Sequence, residues 1–240
     1  MQLDHTLVIG AGGSGGHLIP ALARLLAYHP NAQASMTVAD GDAFEDHNQS
    51  RQLCGPNQLG RNKAEAMVEL CAAQGLHFIS ICPRFLDGNG IRQQLNRARQ
   101  RGDDNLLVIT TVDNDATRKA VIEQLLEHPG NWLHVTSGNA DNSDGEERIS
   151  TSTHWHGQWD GEPIGLNPAL LYPNIAEPSD TIPRHGSCAL AAPSAPQLIS
   201  ANALSAVMTL LVIQNALDGR LDPSTSGVYA NGRDFKLTFS

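Results

Sequence analysis

Basic residues are scarce in this chain. Sixteen Lys and Arg stand against 25 Asp and Glu, giving a formal net charge of −9 and a pI near 5.5. Nucleic acid needs a basic face, so it is not expected as a main partner. A small phosphate-bearing ligand, which needs only a few local donors, stays open. Cysteines number four, at positions 54, 71, 82 and 188, and none falls in a Cys-x-x-Cys pair. A tetrahedral zinc site made of cysteines is therefore not expected. The start of the chain lacks a basic region followed by an apolar run, so no secretory signal is expected. The most apolar stretch, residues 203–213, falls far short of a membrane span. A reducing cytoplasm, free thiols and no membrane partner form the expected setting.

What is present reads as a folded chain of one domain with a large core: 240 residues, 40% hydrophobic and 17% charged. Thr6-Leu7-Val8-Ile9 is an apolar run of the kind buried in a parallel sheet, and glycines end it. Helical periodicity follows over 17–29, with Pro20 placed in the first turns, where proline is tolerable. Strands are predicted at 35–39, 78–82, 106–111 and 133–137, and helices at 62–74, 90–101 and 115–128. Strands alternating with helices predict an α/β fold, a Rossmann-like, mostly parallel sheet with helices on both faces. After residue 138 the pattern changes. Residues 139–147 read as a polar turn, 148–158 as an antiparallel strand, and 195–217 as an apolar helix. Residues 228–239 read as a terminal hairpin turning near Asn231-Gly232, which completes a C-terminal antiparallel extension. Between them, residues 161–187 carry five prolines and little periodicity, and are expected to form a structureless crossover loop.

Gly10, Gly12, Gly13 and Gly15 follow a strand and open a helix. That arrangement aims backbone N–H groups at phosphates, although the same glycines would serve a tight turn with no ligand. Asp40 ends the second strand, where an acid binds ribose hydroxyls or caps a turn, and Asp42 could share either role. Asn48, Arg51 and Gln52 lie in a polar segment. One helical turn would put Asn48 and Arg51 on one face, able to grip a triphosphate, while singly each reads as a solvated residue. Lys63 stands at a helix start, an unfavourable place for a cation without a bound anion. Arg51 and Lys63 both read as exposed. Asp113 and Asn114 follow a buried strand at its C-terminal end, where ligands of open sheets bind. Asp113 suits Mg²⁺, or else caps the helix that follows. His154-x-His156 would share a strand face, as metal ligands or as surface residues.

The combination resembles the ThiF/MoeB group, prokaryotic relatives of ubiquitin-activating enzymes. The motifs that carry the likeness are Gly10-x-Gly12-Gly13-x-Gly15, Asp40-x-Asp42, Asn48-Gln49-Ser50-Arg51-Gln52, Gly60-Arg61-Asn62-Lys63 and Asp113-Asn114-Asp115-Ala116-Thr117-Arg118. They span about residues 6–137. Ser187-Cys188-Ala189, before the long apolar helix, resembles the family's cysteine ahead of its last helix. The tail is most similar to the ThiF-like members of the PRTRC gene cluster.

The resemblance implies that MgATP adenylates the C-terminal glycine of a ubiquitin-like or sulfur-carrier protein. Arg51, Asn48 and Lys63 would stabilise phosphate charge, Asp113 would hold Mg²⁺ and Asp40 would bind the ribose. Gln52, Asn114 and Arg118 would complete the nucleotide site, and the enzyme would be a homodimer. Cys188, beside His185 and a helix start, could carry a later thiol step or be a small buried residue. Two family features are missing: paired zinc-binding cysteines, and an arginine ahead of the glycine turn, which only nine residues precede. Another arginine or a partner's would have to replace it, or adenylation would be weak. Two rival readings remain. A nicotinamide dehydrogenase explains the glycine turn and Asp40 but leaves Arg51, Lys63 and Asp113 without work. A non-catalytic module would keep the fold and bind a nucleotide or a partner's tail.

Overall fold

A computed structural model describes residues 1–139, 150–183, 198–231 and 236–239. The first half alternates as the apolar runs predict. Strands β1 (His5–Ile9), β2 (Met36–Ala39), β3 (Ile79–Cys82), β4 (Asn105–Thr110) and β5 (Asn131–Asn139) interleave with helices α1 (Gly13–Tyr28), α2 (Lys63–Ala72), α3 (Gly88–Gln100) and α4 (Asp115–Leu126). These five strands are parallel and lie in the order β3-β2-β1-β4-β5. The chain then adds β6 (Ser150–Trp159), β7 (Glu162–Gly165), two single-turn helices α5 (Pro168–Leu171) and α6 (Pro173–Ala176), the long α7 (Ile199–Leu217), and β8 (Gly227–Asn231) with β9 (Lys236–Phe239). β6 runs antiparallel to β5, and β8 and β9 extend the sheet antiparallel beyond it.

Strand residues alternate between two cores, as a two-sided sheet requires. Val8, Val38, Leu107, Ile109 and Leu133 pack with α1, α2 and α7 through Leu18, Leu22, Met67 and Ile213. Leu7, Ile9, Leu106 and Val108 face the other way, onto Ile91 and Leu95 of α3 and Val121 and Leu125 of α4. The order of the strands places a switch point between β1 and β4. Their connections leave in opposite directions there, and a crevice opens at the C-terminal strand ends.

Three expectations change. α1 begins at Gly13, so Pro20 lies inside the helix, beyond its first turn; the glycines carry the helical path further toward the N-terminus than periodicity alone suggests. The crossover is not structureless. Asp160 and Gly161 both have positive φ, 52° and 85°, and turn β6 tightly into β7, and α5 and α6 follow. Finally, α7 is a 19-residue helix, long and apolar enough by length and composition to cross a membrane, where the 203–213 run is not. Half of its apolar window is buried, packed on α1, β5 and β6. The turn at 139–147 and the hairpin tip near Gly232 fall largely outside the described residues, as do Cys188 and the end of the crossover loop.

Leu133, near the start of β5, is wholly buried in the core that α1 and α7 share. Leu133→Ala is expected to destabilise the fold by about 2–5 kcal/mol. Urea unfolding should show a lower midpoint with an unchanged slope.

Candidate functional site

The site is built where β1 and β4 end. Gly10 has φ +102°, a conformation that disfavours any side chain. A Cβ on Gly15 would lie 2.1 Å from the Gly10 carbonyl oxygen and 2.6 Å from Thr111 Oγ1. Thr111, just past β4, donates its hydroxyl to that carbonyl at 2.8 Å. Gly10 and Gly15 are thus required by the turn's own closure. Gly13 faces the side chain of Asn202 on α7, whose amide atoms would sit 2.6–2.7 Å from an added Cβ. Gly12 differs. Its nearest neighbour is the Gln52 side chain at 3.8 Å, an ordinary contact, so no described residue forbids a side chain there.

The helix that this turn opens is bare at its N-terminus. α2, α3 and α4 are capped by the side chains of Asn62, Asp87 and Asn114, whereas α1 has no side-chain cap and no acid in its first turn. Among the described residues no side chain takes its first N–H groups, and its positive dipole end faces the crevice. Gln52 is buried beside Gly12, and its Oε1 has no hydrogen-bond partner among the described residues. Such a group is costly unless something fills the position.

Asp40 reaches across from the end of β2. Its Oδ2 accepts the Ala11 N–H at 2.7 Å and its Oδ1 accepts the Asp42 N–H at 2.8 Å. Burial pushes its carboxyl up from the ordinary value, while the Lys63 ammonium and both N–H groups pull it back. In this state Asp40 fixes the glycine turn, and a ribose would have to use its remaining lone pairs. Lys63 is not exposed as read from sequence. It is 6% exposed, ion-paired to Asp42, and 6.0 Å above the Phe44 ring. The sequence reading expected a bound anion beside a cation at a helix start, and in the structure the Asp42 carboxylate is the anion at Lys63. Asn48 is buried, and its Oδ1 accepts the Glu45 N–H at 3.0 Å, closing the turn that leads to half-buried Arg51.

At the end of β4 the helix cap falls to Asn114, whose Oδ1 accepts the Thr117 N–H at 2.7 Å. Asp113 is exposed, with no partner recorded among the described residues. Arg118 is held by Asp115 at 2.6 Å and by the carbonyls of Val112 and Ser137 at 2.6 and 3.1 Å. The structure therefore gathers the glycine turn, Asp40, Asp42, Gln52, Lys63 and Asp113 at one edge, with Arg118 as a brace beneath it.

Several residues escaped the sequence reading. Asp180, in the crossover, accepts the N–H groups of Asp115 and Ala116, both at 2.8 Å. Asn139 donates to Asn202 at 2.6 Å and to Ser14 Oγ at 3.3 Å. A buried polar chain runs below the site: Thr110 bonds His134 at 3.0 Å, and His134 bonds His156 at 2.9 Å. His154 bonds the Tyr172 hydroxyl at 2.7 Å. Thus His154 and His156 are buried, not surface residues, and no cluster of three or more metal-ligating groups exists among the described residues. Their signal was the period-two spacing on a strand with apolar neighbours.

Burial holds His154 and His156 down to about 4, and burial plus the neighbouring His156 and Arg118 hold His134 well below the usual range. Between about pH 4 and 6.5 the unfolded chain binds protons that the folded one refuses, so stability rises with pH there. The contribution is complete above about pH 6.5 and is lost as pH falls through that window. Melting temperature measured from pH 7 to 5 should drop, and His156→Gln should shallow the slope.

No family model matches the chain, and no curated protein matches it in sequence. Solved structures do match in fold. PaaA superposes with a TM-score of 0.63 at 14% identity, covering 99% of this chain and 63% of its own. Escherichia coli MccB, solved with ATP, gives 0.62 at 12% identity, covering 98% and 63%. The E. coli tRNA N6-threonylcarbamoyladenosine dehydratase TcdA gives 0.57 at 15% identity, covering 90% and 85%. The chain therefore spans less than two thirds of the PaaA and MccB chains. These structures carry the fold that the ThiF/MoeB resemblance implies.

Proposed function

We propose that this chain binds ATP at the β1–β4 crevice and uses it to adenylate the C-terminal carboxylate of a carrier, a ubiquitin-like or sulfur-carrier protein ending in glycine. The observation that carries the reading is the uncapped N-terminus of α1, with no acid in its first turn and no described side chain crowding Gly12. A helix N-terminus of this kind is a phosphate cradle. The fold adds support, since MccB has been solved with ATP, and with AMPCPP together with MccA.

In the proposed reaction a carboxylate oxygen of the carrier attacks the α-phosphorus. The bond from that phosphorus to the bridging oxygen breaks, and pyrophosphate leaves. This chain's part is positioning and charge stabilisation. Backbone N–H groups at Gly12 and Gly13 would receive phosphate oxygens. Arg51 and Lys63 would face the developing negative charge, with Asp42 holding Lys63 in place. Asp113 fits Mg²⁺, because it is an exposed carboxylate at a strand's C-terminal end and this ion takes one or two carboxylates plus phosphates. When bound, the ion would neutralise phosphate charge. We further propose a homodimer, and a thiol step through Cys188 after adenylation. There a thiolate would attack the acyl carbon, form a thioester and release AMP.

ATP–pyrophosphate exchange dependent on a carrier tests the reading. Asp113→Ala should abolish exchange at an unchanged melting temperature, since its side chain holds no described residue in place. Arg51→Ala and Lys63→Ala should each slow exchange by about 10²-fold or more. Lys63→Ala should also lower the melting temperature, because a buried stem and an ion pair are lost. Exchange that persists undiminished in folded variants would remove these residues from the site. ATP binding without exchange would favour the non-catalytic module, and reduction of NAD the dehydrogenase.

Cys188→Ala should leave pyrophosphate exchange intact, because adenylation uses no thiol. It should abolish any carrier adduct released by hydroxylamine or a reducing agent. An adduct that survives in the variant would exclude Cys188.

A further inference from the structure

Asn202, near the start of α7, is wholly buried. Its Nδ2 donates to the Arg51 carbonyl at 3.1 Å, and its Oδ1 accepts from Asn139 Nδ2 at 2.6 Å. The carbonyl can only accept, so it fixes which end of the amide faces Arg51. Asn139 in turn reaches Ser14 Oγ in the first turn of α1. The amide also fills the space that a Cβ on Gly13 would occupy, at 2.6–2.7 Å. One side chain thus joins four segments: the glycine turn, the Arg51 turn, the end of β5 and α7. None of these contacts is local in sequence.

We infer that Asn202 is a positioning residue that sets the Arg51 main chain against the glycine turn, and that Gly13 is glycine because of this amide and not because of a phosphate. The catalytic consequence rests on the ATP reading above; the positioning itself does not. Buried polar groups hold geometry in this way, since losing the Asn202 amide would leave the Asn139 amide without its acceptor and the Arg51 carbonyl with the His17 ring in place of two partners. The Arg51 turn closes on itself, with the Arg51 and Gln52 N–H groups both donating to the Asn48 carbonyl at 3.1 and 2.9 Å, and Asn202 ties that closed turn to α7.

The test uses Asn202→Ala, Asn202→Asp, Gly13→Ala and the double variant Gly13→Ala/Asn202→Ala. The aspartate keeps an acceptor for Asn139 but sets a carboxylate against the Arg51 carbonyl, so it separates the two links. Amide hydrogen exchange of Arg51, Gln52 and Cys54 should quicken about tenfold or more in both Asn202 variants, with the β4 amides unchanged. Turnover in pyrophosphate exchange should fall about 10- to 100-fold, with a smaller change in KM for ATP, as expected when a catalytic group is displaced. Gly13→Ala should lower the melting temperature, and the double variant should regain part of that loss, a non-additivity that marks direct contact. Unchanged amide exchange at 51–54 in both Asn202 variants, or additive melting shifts, would overturn the inference. Should Asn202→Ala fail to fold, Asn202→Ser takes its place in both measurements. A parent without nucleotide turnover would sink the ATP reading alone, while amide exchange and the Gly13 cycle would still decide the role of Asn202.

Discussion

The closure between the ends of β1 and β4 is the constraint on which the rest of the site depends. Thr111 donates to the Gly10 carbonyl, and Gly15 lies so close to that carbonyl that no side chain fits between them. The two strands separate here because their connections leave in opposite directions. The turn must therefore be held shut by something other than the sheet ladder. One hydroxyl and two glycines do this. They leave the first N–H groups of α1 pointing into the opening, unclaimed by a side-chain cap. Burial of the two cores makes the strands; this contact makes the crevice.

Around that closure the protein uses its charges against one another before any ligand arrives. Asp40 fixes the turn through Ala11, and Asp42 holds Lys63. The Lys63 ammonium is nearly buried, where an unpaired cation would be costly. On the reading proposed above, a phosphate entering beside it would meet a cation already oriented and largely desolvated, a preorganised arrangement. The exposed Asp113 on the far lip is the contrary case, a carboxylate that the described protein does not use.

The five parallel strands and their helices were legible in the sequence because each strand is a short apolar run and each helix shows one apolar face. The gathering of motifs at one sheet edge was legible because the strand-end rule places them there. What could not be read were contacts between residues distant in sequence. Lys63 looks exposed beside its polar neighbours Asn62 and Glu65, yet Phe44 and Asp42 cover it from twenty positions away. Asp113 and Asn114 compete for one cap position, and a single sequence does not choose between them; backbone geometry gives it to Asn114. The contact between Gly13 and the Asn202 side chain was likewise invisible, because α7 lies far along the chain. The Asp160-Gly161 turn was readable, since this dipeptide tolerates positive φ at both positions, and the surrounding prolines masked it.

Helices α1 to α4 all start at the C-terminal edge of the parallel strands, and the contrast between α1 and α4, which follow the two strands at the switch point, bears on where an anion can sit. The start of α4 is filled from within: Asp180 places both carboxylate oxygens on the Asp115 and Ala116 N–H groups, while Asn114 takes that of Thr117. An incoming phosphate would have to displace a carboxylate that is covalently tethered nearby, at an effective concentration no free ligand reaches. Among the described residues the start of α1 has no such occupant. The dipoles of the two helices are alike, so the discrimination comes from the cap and not from the helix. The crossover segment therefore acts on the site without reaching the glycine turn. It fills the start of α4 and ties itself to the strand end that carries Asp113, while no described side chain caps the start of α1.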